Sequence, residues 1–218
     1  MAKRLKIDFV SDVSCPWCVI GLRALEQALQ RIGDEISPEL HFQPFELNPQ
    51  IEAAGEDIAQ HLKKKYGATT EQSARTRDTI STRGAELGFR FDMAKRERVY
   101  NTFDAHRLLH WADLEGQQLA LKHALFAAYF TEGKNPSDRT VLADTAAAVG
   151  LDRGRAVDIL DSNLYAAEVR ARERFYTDQG IHAVPAVVIN DRHLVQGAQA
   201  VEVFERAIRQ SAANGISN

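Results

Sequence analysis

The chain has 218 residues, of which 44% are hydrophobic and 26% are charged, and its 27 basic and 30 acidic side chains leave a net charge of -3. These values are typical of a soluble globular protein of one large or two smaller domains, and the charge balance excludes an electrostatic case for binding nucleic acid or an anionic membrane surface. The start lacks the apolar stretch of a secretory signal and no window approaches a membrane span, so we expect a cytoplasmic protein.

The first fifty residues predict a strand, a helix and a second strand. Residues 5–10 alternate apolar and polar side chains, as a strand does. Apolar positions recur at helical spacing over residues 18–32. Residues 40–47 alternate again, and Pro44 favours the edge of a sheet or a bulge. A cysteine pair that begins at Cys15 therefore lies at the first strand-to-helix junction.

The middle of the chain predicts helices. Residues 58–164 show helical patterns punctuated by glycine and proline, with no clear strand signal. The strongest patterns are residues 103–111 and 117–130. Before the next helix, Ser137 or Asp138 can act as the N-cap. About a hundred residues of helix after a strand, a helix and a strand indicate a separate helical subdomain.

The last part of the chain returns to a mixed pattern. Residues 166–179 predict a helix. The β-branched run in residues 183–190 ends in the turn residues Asn190 and Asp191, and a short return strand at 193–196 completes a hairpin signal. Apolar spacing over residues 200–210 predicts a final helix.

The tetrapeptide Cys15-Pro16-Trp17-Cys18 contains the only two cysteines of the chain. In a cytosolic protein such a pair is more often redox-active or metal-binding than a structural disulfide. Thiol exchange needs a thiolate, and the free N–H groups and positive dipole of a helix start would stabilise one at Cys15. Cys18, one turn later, is placed to attack a mixed disulfide at Cys15. Pro16 suits the first helical turn, and Trp17 offers a flat apolar surface beside the sulfur.

Two other interpretations of the cysteines stay open. His106 and His110 are four residues apart on a predicted helix, so they could complete a zinc site with Cys15 and Cys18. Their separation from the cysteines is far larger than in a compact zinc module, so we expect no metal site. Both cysteines could also be buried packing residues. The strand-to-helix location and the intervening Pro-Trp argue against that.

A second feature is Val184-Pro185, just before the β-branched run. A proline cannot donate a hydrogen bond within a sheet, so Pro185 must stand at the start of a strand. The sequence by itself leaves the isomer of the Val184–Pro185 bond open, and trans is the common form.

Six blocks of sequence carry a resemblance to a known family. They are residues 12–18 with 20–21, 45–49, 101–107, 128–133, 180–185 and 197–199. In this order, and over nearly the whole chain, they resemble the DsbA-like thioredoxin family, specifically its cytoplasmic FrnE-like branch.

The resemblance implies an α/β protein with a thioredoxin fold and a large all-helical insertion. The thioredoxin-like domain would consist of residues 1–50 and 164–218, and the insertion of residues 51–163. The resemblance also implies that Cys15 is the nucleophile and Cys18 the resolving thiol of a thiol–disulfide oxidoreductase.

The resemblance further implies a substrate cleft around the cysteine pair. Pro185 would be cis and face the cysteines, with the backbone of Val184 available to pair with an extended substrate. Further cleft residues are expected to be Ser14, Phe45, Asn101 and His106. The alternative for Asn101 and His106 is that they cap or cross-link helices inside the insertion.

Neither a metal nor a nicotinamide cofactor is required by the motif. We expect a protein or small-molecule thiol or disulfide as substrate, and glutathione or a thioredoxin system as the redox partner. We expect no nucleic-acid or membrane partner, and a homodimer is an option because related folds often dimerise. Whether the chain acts as oxidase, isomerase or reductase is open.

One rival function belongs to a different class of enzyme. Kappa-class glutathione transferases and 2-hydroxychromene-2-carboxylate isomerases also resemble this fold. They bind glutathione as a co-substrate and typically carry serine at the position of Cys15. The dithiol of this chain favours redox chemistry over that alternative.

Overall fold

The structure is a computed structural model that describes residues 2–214. Its helices and strands, in chain order, are β1 (Lys3–Ser11), α1 (Pro16–Ile32), β2 (Ile36–Pro44), β3 (Glu56–Asp57), α2 (Ile58–Tyr66), α3 (Thr70–Glu86), β4 (Arg98–Val99), α4 (Phe103–Leu114), α5 (Gln118–Phe130), α6 (Arg139–Ala148), α7 (Arg153–Leu160), α8 (Ala166–Asp178), β5 (Ala186–Ile189), β6 (His193–Gln196) and α9 (Val201–Asn214).

A four-stranded mixed sheet in the order β2-β1-β5-β6 organises the fold. β1 is parallel to β2 and antiparallel to β5, and β5 is antiparallel to β6. Leu5, Ile7 and Phe9 alternate along β1 and enter one apolar cluster with side chains of α1 and α9. Val10 faces the other way and packs with Tyr176 of α8. Helices therefore cover both faces of the sheet, as expected when strands are buried on each side.

The helices α4 to α7 form a second apolar cluster, which includes Leu108, Leu142 and Ile159. α5 belongs to both clusters: Leu125 packs within the insertion, while Phe126 packs with the sheet and α1. The predicted thioredoxin fold with a helical insertion is confirmed. The proposed domain boundaries stay a prediction.

Two details of the strands differ from the sequence pattern. β2 runs over Ile36–Pro44 rather than residues 40–47, because its register with β1 extends from Lys3 opposite Ile36 to Ser11 opposite Pro44. The insertion also contains the two-residue strands β3 and β4, which pair with each other and are too short to show a periodicity. Within residues 2–214, no helix has both the length and the apolar character needed to cross a membrane.

Candidate active site

The cysteine motif lies where β1 gives way to α1. Cys15 is the N-cap of α1, with extended backbone angles (φ -92°, ψ 112°), and Pro16 follows as the first helical residue. The N–H of Cys15 donates to the carbonyl of Asp12 (3.2 Å), and the N–H of Cys18 donates to the carbonyl of Cys15 (3.0 Å). The sulfur of Cys15 is thus at the end of a helix that stabilises negative charge.

The two thiols are free and buried, and they differ in acidity. The pKa of Cys15 is lowered, chiefly by a hydrogen bond from the Cys18 side chain and also by backbone N–H groups of Cys18 and Trp17. Burial raises the pKa of Cys18 well above its ordinary value, and the neighbouring Cys15 raises it further. Cys15 is therefore the thiol that ionises first, while Cys18 keeps its proton.

The segment before β5 lies against this pair. The Val184–Pro185 peptide bond is cis, the isomer that the resemblance implies. The Cys15 Sγ lies 3.8 Å from the carbonyl oxygen of Val184. Behind it, Gly21 of α1 faces Pro185, and a Cβ added to Gly21 would lie only 2.9 Å from the Pro185 Cγ. The missing side chain of Gly21 thus lets the proline segment approach α1 and Cys15.

Asp12 is a fully buried carboxylate that holds the segment before the cysteines. Its Oδ1 accepts a hydrogen bond from the N–H of Ser14 (3.0 Å), and its Oδ2 accepts one from the N–H of Leu47 (2.7 Å). Burial acts to raise the pKa of Asp12, but His106 and these two N–H groups outweigh it and lower the pKa. Its negative charge in turn opposes ionisation of Cys15.

Of the residues predicted to line a substrate cleft, His106 and Asn101 bond to the protein itself, whereas the buried hydroxyl of Ser14 has no hydrogen-bond partner among the described residues. The buried Nε2 of His106 lies 3.2 Å from the carbonyl of Phe45, to which it can donate. The Asn101 side chain donates to Glu46 (3.1 Å) and accepts from the N–H of Phe103 (2.9 Å). The contacts with Glu46 and Phe45 connect the insertion to the segment after β2 rather than helices inside the insertion. A role of these residues in substrate binding stays a prediction.

Two arginines lie beside the cysteine motif that the sequence pattern does not predict to be there. Arg96 donates from Nη2 to the carbonyl of Ser14 (3.2 Å) and from Nε to the hydroxyl of Tyr129 (3.0 Å). The guanidinium of Arg83 lies 5.6 Å from the ring centroid of the half-buried Trp17. Both arginines are far from Cys15 in sequence, and no local pattern marks them.

The zinc alternative receives no support from the geometry. Nowhere in residues 2–214 do three or more His, Cys, Asp or Glu side chains form a group that could hold a metal ion. His106 contacts Phe45 as described, and the ring of His110 packs 5.1 Å from that of Tyr165.

Comparisons with known proteins agree with this architecture. Residues 6–209 match the DSBA-like thioredoxin domain. The structure is similar to that of a probable DsbA oxidoreductase from Streptomyces coelicolor, with 32% identity, a TM-score of 0.91 and coverage of 98% of this chain and 92% of that chain.

Two more distant structures share the fold. A 2-hydroxychromene-2-carboxylate isomerase has 17% identity and a TM-score of 0.71, with coverage of 98% of this chain and 100% of that chain. The cytosolic disulfide reductase DsbM from Pseudomonas aeruginosa with GSH has 16% identity and a TM-score of 0.62, with coverage of 96% of each chain.

Proposed function

The chain belongs to the family of DSBA-like thioredoxin domains, and from that premise we propose that it is a thiol–disulfide oxidoreductase that works through Cys15 and Cys18. The observation that carries this proposal is the contrast between the two thiols. Cys15, at the start of α1, has a lowered pKa, whereas the pKa of the fully buried Cys18 is raised. Cys15 is therefore suited to be the attacking thiolate, and Cys18 stays protonated until the resolving step.

In the proposed reaction the Cys15 thiolate attacks one sulfur of a substrate disulfide. A bond forms between Cys15 and that sulfur, and the other substrate sulfur leaves as a thiolate that takes up a proton. Cys18 then loses its proton and attacks Cys15, which releases the second substrate thiol and leaves the Cys15–Cys18 disulfide. The substrate gains two electrons that the dithiol loses, and the reverse sequence oxidises a substrate.

The Val184 carbonyl, beside the Cys15 sulfur, supports a proposed mode of substrate binding. An extended segment that carries a disulfide could pair with the backbone at Val184 while its sulfur meets Cys15. Glutathione or a thioredoxin system in the cytoplasm is proposed to reset the dithiol; DsbM, which shares the fold, is a cytosolic reductase described with GSH.

A redox titration tests the proposal. The full chain would be equilibrated across glutathione ratios, and its free thiols counted by alkylation and mass spectrometry. We expect a reversible transition of two thiols. A potential near about -120 mV would indicate an oxidant and one near about -270 mV a reductant. If no disulfide forms between Cys15 and Cys18 over the whole range, the proposal is wrong.

One substitution distinguishes the proposed oxidoreductase from the alternative, a glutathione-dependent isomerase or transferase. Cys15→Ser replaces the attacking thiol with a hydroxyl and leaves the rest of the side chain unchanged. We expect the variant to lose thiol–disulfide exchange. If it keeps a glutathione-dependent activity equal to that of the unchanged chain, the isomerase or transferase class is favoured instead.

A further inference from the structure

Two arginines contact the cysteine motif from the part of the chain that follows β2. Arg96, between α3 and β4, donates from Nη2 to the carbonyl of Ser14 (3.2 Å), which directly precedes Cys15. The guanidinium carbon of Arg83, on α3, lies 5.6 Å from the ring centroid of Trp17, inside the motif. These contacts place a positive charge beside a residue that precedes Cys15 and beside a residue that follows it.

Neither of these arginines is neutralised by a carboxylate of the protein. Both are half-buried, and within residues 2–214 neither guanidinium forms an ion pair. Every other buried or half-buried arginine among the described residues pairs with an aspartate or glutamate, namely Arg23, Arg107, Arg170 and Arg209. A cation that is partly removed from water is costly without an anion. An anion from outside the protein would therefore be stabilised at Arg83 and Arg96.

The guanidinium of Arg96 keeps donors free for such an anion. Its Nε donates to the hydroxyl of Tyr129 (3.0 Å), and its Nη2 donates to Ser14. Its Nη1 has no acceptor among the described residues, and this nitrogen reaches solvent. A guanidinium that is fixed on one side and open on the other is suited to bind a carboxylate through parallel N–H groups.

Aromatic packing holds the two arginines in place. The ring centroid of Phe130 lies 5.2 Å from the guanidinium carbon of Arg96 and 5.3 Å from the ring centroid of Phe91. Phe91 in turn packs against Gly84, the neighbour of Arg83 in α3, where an added Cβ would overlap the Phe91 ring. Charges held at fixed positions lose little conformational freedom when a ligand binds, which favours affinity.

We propose that Arg83 and Arg96 determine substrate specificity by binding acidic side chains that flank the disulfide of an extended peptide. The proposal rests on the function proposed above and adds the substrate class. Carboxylates of the peptide bind the guanidiniums while its sulfur meets Cys15 and its backbone pairs at Val184. The bonds that form and break are those of the thiol–disulfide exchange, and neither arginine gains or loses a proton. An extended segment fits better than a single small carboxylate, because the charges lie beside residues that precede and follow Cys15.

The competing explanation is that both arginines only support the motif. Arg96 would then fasten Ser14 and Arg83 would cover Trp17, so their loss would slow exchange with every disulfide by the same factor. Carboxylate binding predicts instead that the loss affects acidic substrates alone. The net charge of the chain is -3, so a preference for acidic substrates cannot come from attraction by the protein as a whole.

Three peptide disulfides of equal length provide the test, with cysteines flanked by glutamate, by glutamine or by lysine. The reduced full chain is mixed with each peptide, exchange is stopped with acid, and the disulfide between Cys15 and Cys18 is quantified by alkylation and mass spectrometry. Each rate is divided by that of 2-mercaptoethanol with the same peptide, which removes differences in intrinsic reactivity. We expect the unchanged chain to prefer the glutamate peptide over the lysine peptide by about ten-fold, and added salt to reduce this preference.

Variants assign the preference to the two arginines. When Arg83→Gln and Arg96→Gln are combined, we expect the rate with the glutamate peptide to fall about ten-fold or more and the rate with the glutamine peptide to change by less than about two-fold. Arg83→Lys combined with Arg96→Lys keeps the charges and should retain part of the preference. Arg155→Gln removes an exposed arginine of α7 and should leave the rates with all the peptides unchanged.

The outcomes distinguish this inference from the proposed function. If the unchanged chain forms no disulfide between Cys15 and Cys18 with any peptide, the proposed function is wrong. If it reacts without a preference for the glutamate peptide, the assignment of Arg83 and Arg96 is overturned, and this result does not depend on whether a variant folds. The assignment is also overturned if the combined glutamine variant keeps the preference, slows all peptides equally, or slows only the reaction with oxidised glutathione.

Discussion

Gly21→Ala is expected to disturb the proline segment through one methyl group. Alanine in a helix interior gains about 0.5–1 kcal/mol over glycine. Here the new Cβ would lie 2.9 Å from the Cγ and 3.4 Å from the Cβ of Pro185. A proline ring cannot swing away as a flexible side chain can, so the overlap must move α1 or the Val184–Pro185 segment. Overpacking of this kind costs about 1–3 kcal/mol.

The midpoints of these two ranges leave a net loss of about 1 kcal/mol for Gly21→Ala, and the extremes span about 0 to 2.5 kcal/mol. For a chain of this length, each kcal/mol shifts the melting temperature by about 2–4 °C, so we expect a fall of about 2–4 °C. Because Val184 lies beside the Cys15 sulfur, the rate of the first exchange step should fall as well.

Gly154→Ala is the matched control for this prediction. Gly154 is also a helical residue, in α7, but it is exposed, and its added Cβ would meet only the end of the Asp152 side chain at 3.2 Å. We expect the melting temperature of this variant to rise slightly and its thiol exchange to stay unchanged. If Gly21→Ala is stabilised like the control and keeps full activity, the argument that Gly21 positions Pro185 is refuted.

Three further predictions concern the thiols, the buried carboxylate and the insertion. At neutral pH, iodoacetamide should modify Cys15 first, with a pH midpoint below that of an ordinary thiol, because the pKa of Cys15 is lowered and that of Cys18 is raised. Peptide mass spectrometry would identify the modified residue. Equal modification rates at Cys15 and Cys18 would contradict the assignment of Cys15 as the more acidic thiol. Asp12→Asn should lower the free energy of unfolding by about 1–3 kcal/mol at pH 7. Because the folded-state pKa of Asp12 is lowered, the stabilisation from its carboxylate is present above the unfolded-state pKa of about 4 and is lost as the pH falls through the folded-state pKa. Denaturation curves of the variant and the unchanged chain should therefore converge in acid. Arg107→Lys should lower the free energy of unfolding, measured in urea, by about 2–4 kcal/mol. The buried guanidinium of Arg107 donates to the carbonyls of Ile159, Ser162 and Leu164, and one ammonium cannot replace that geometry. A loss below about 0.5 kcal/mol would contradict this prediction.

Much of the local structure could be predicted from the sequence. The apolar spacing after Cys18 predicts α1, which the structure contains as Pro16–Ile32. Asn190 and Asp191 have positive φ angles of 51° and 55° between β5 and β6, as is typical of turn residues in a hairpin. Asp138, one of two proposed caps, accepts a hydrogen bond from the N–H of Val141 at the start of α6. These features depend on neighbours in the chain, so a short stretch of sequence contains their cause.

Features that depend on residues far apart in the chain needed the tertiary structure. The sequence by itself determined that a dithiol lies at a strand-to-helix junction, because the pattern on each side of Cys15 is local. Only the folded chain decided that Asp12 binds the N–H of Leu47 and that Lys122 is buried beside the rings of Phe42 and Phe126. A charged residue in a helical pattern is ordinarily solvent-exposed. Its burial is set by which helix packs where, and that is a property of the whole fold.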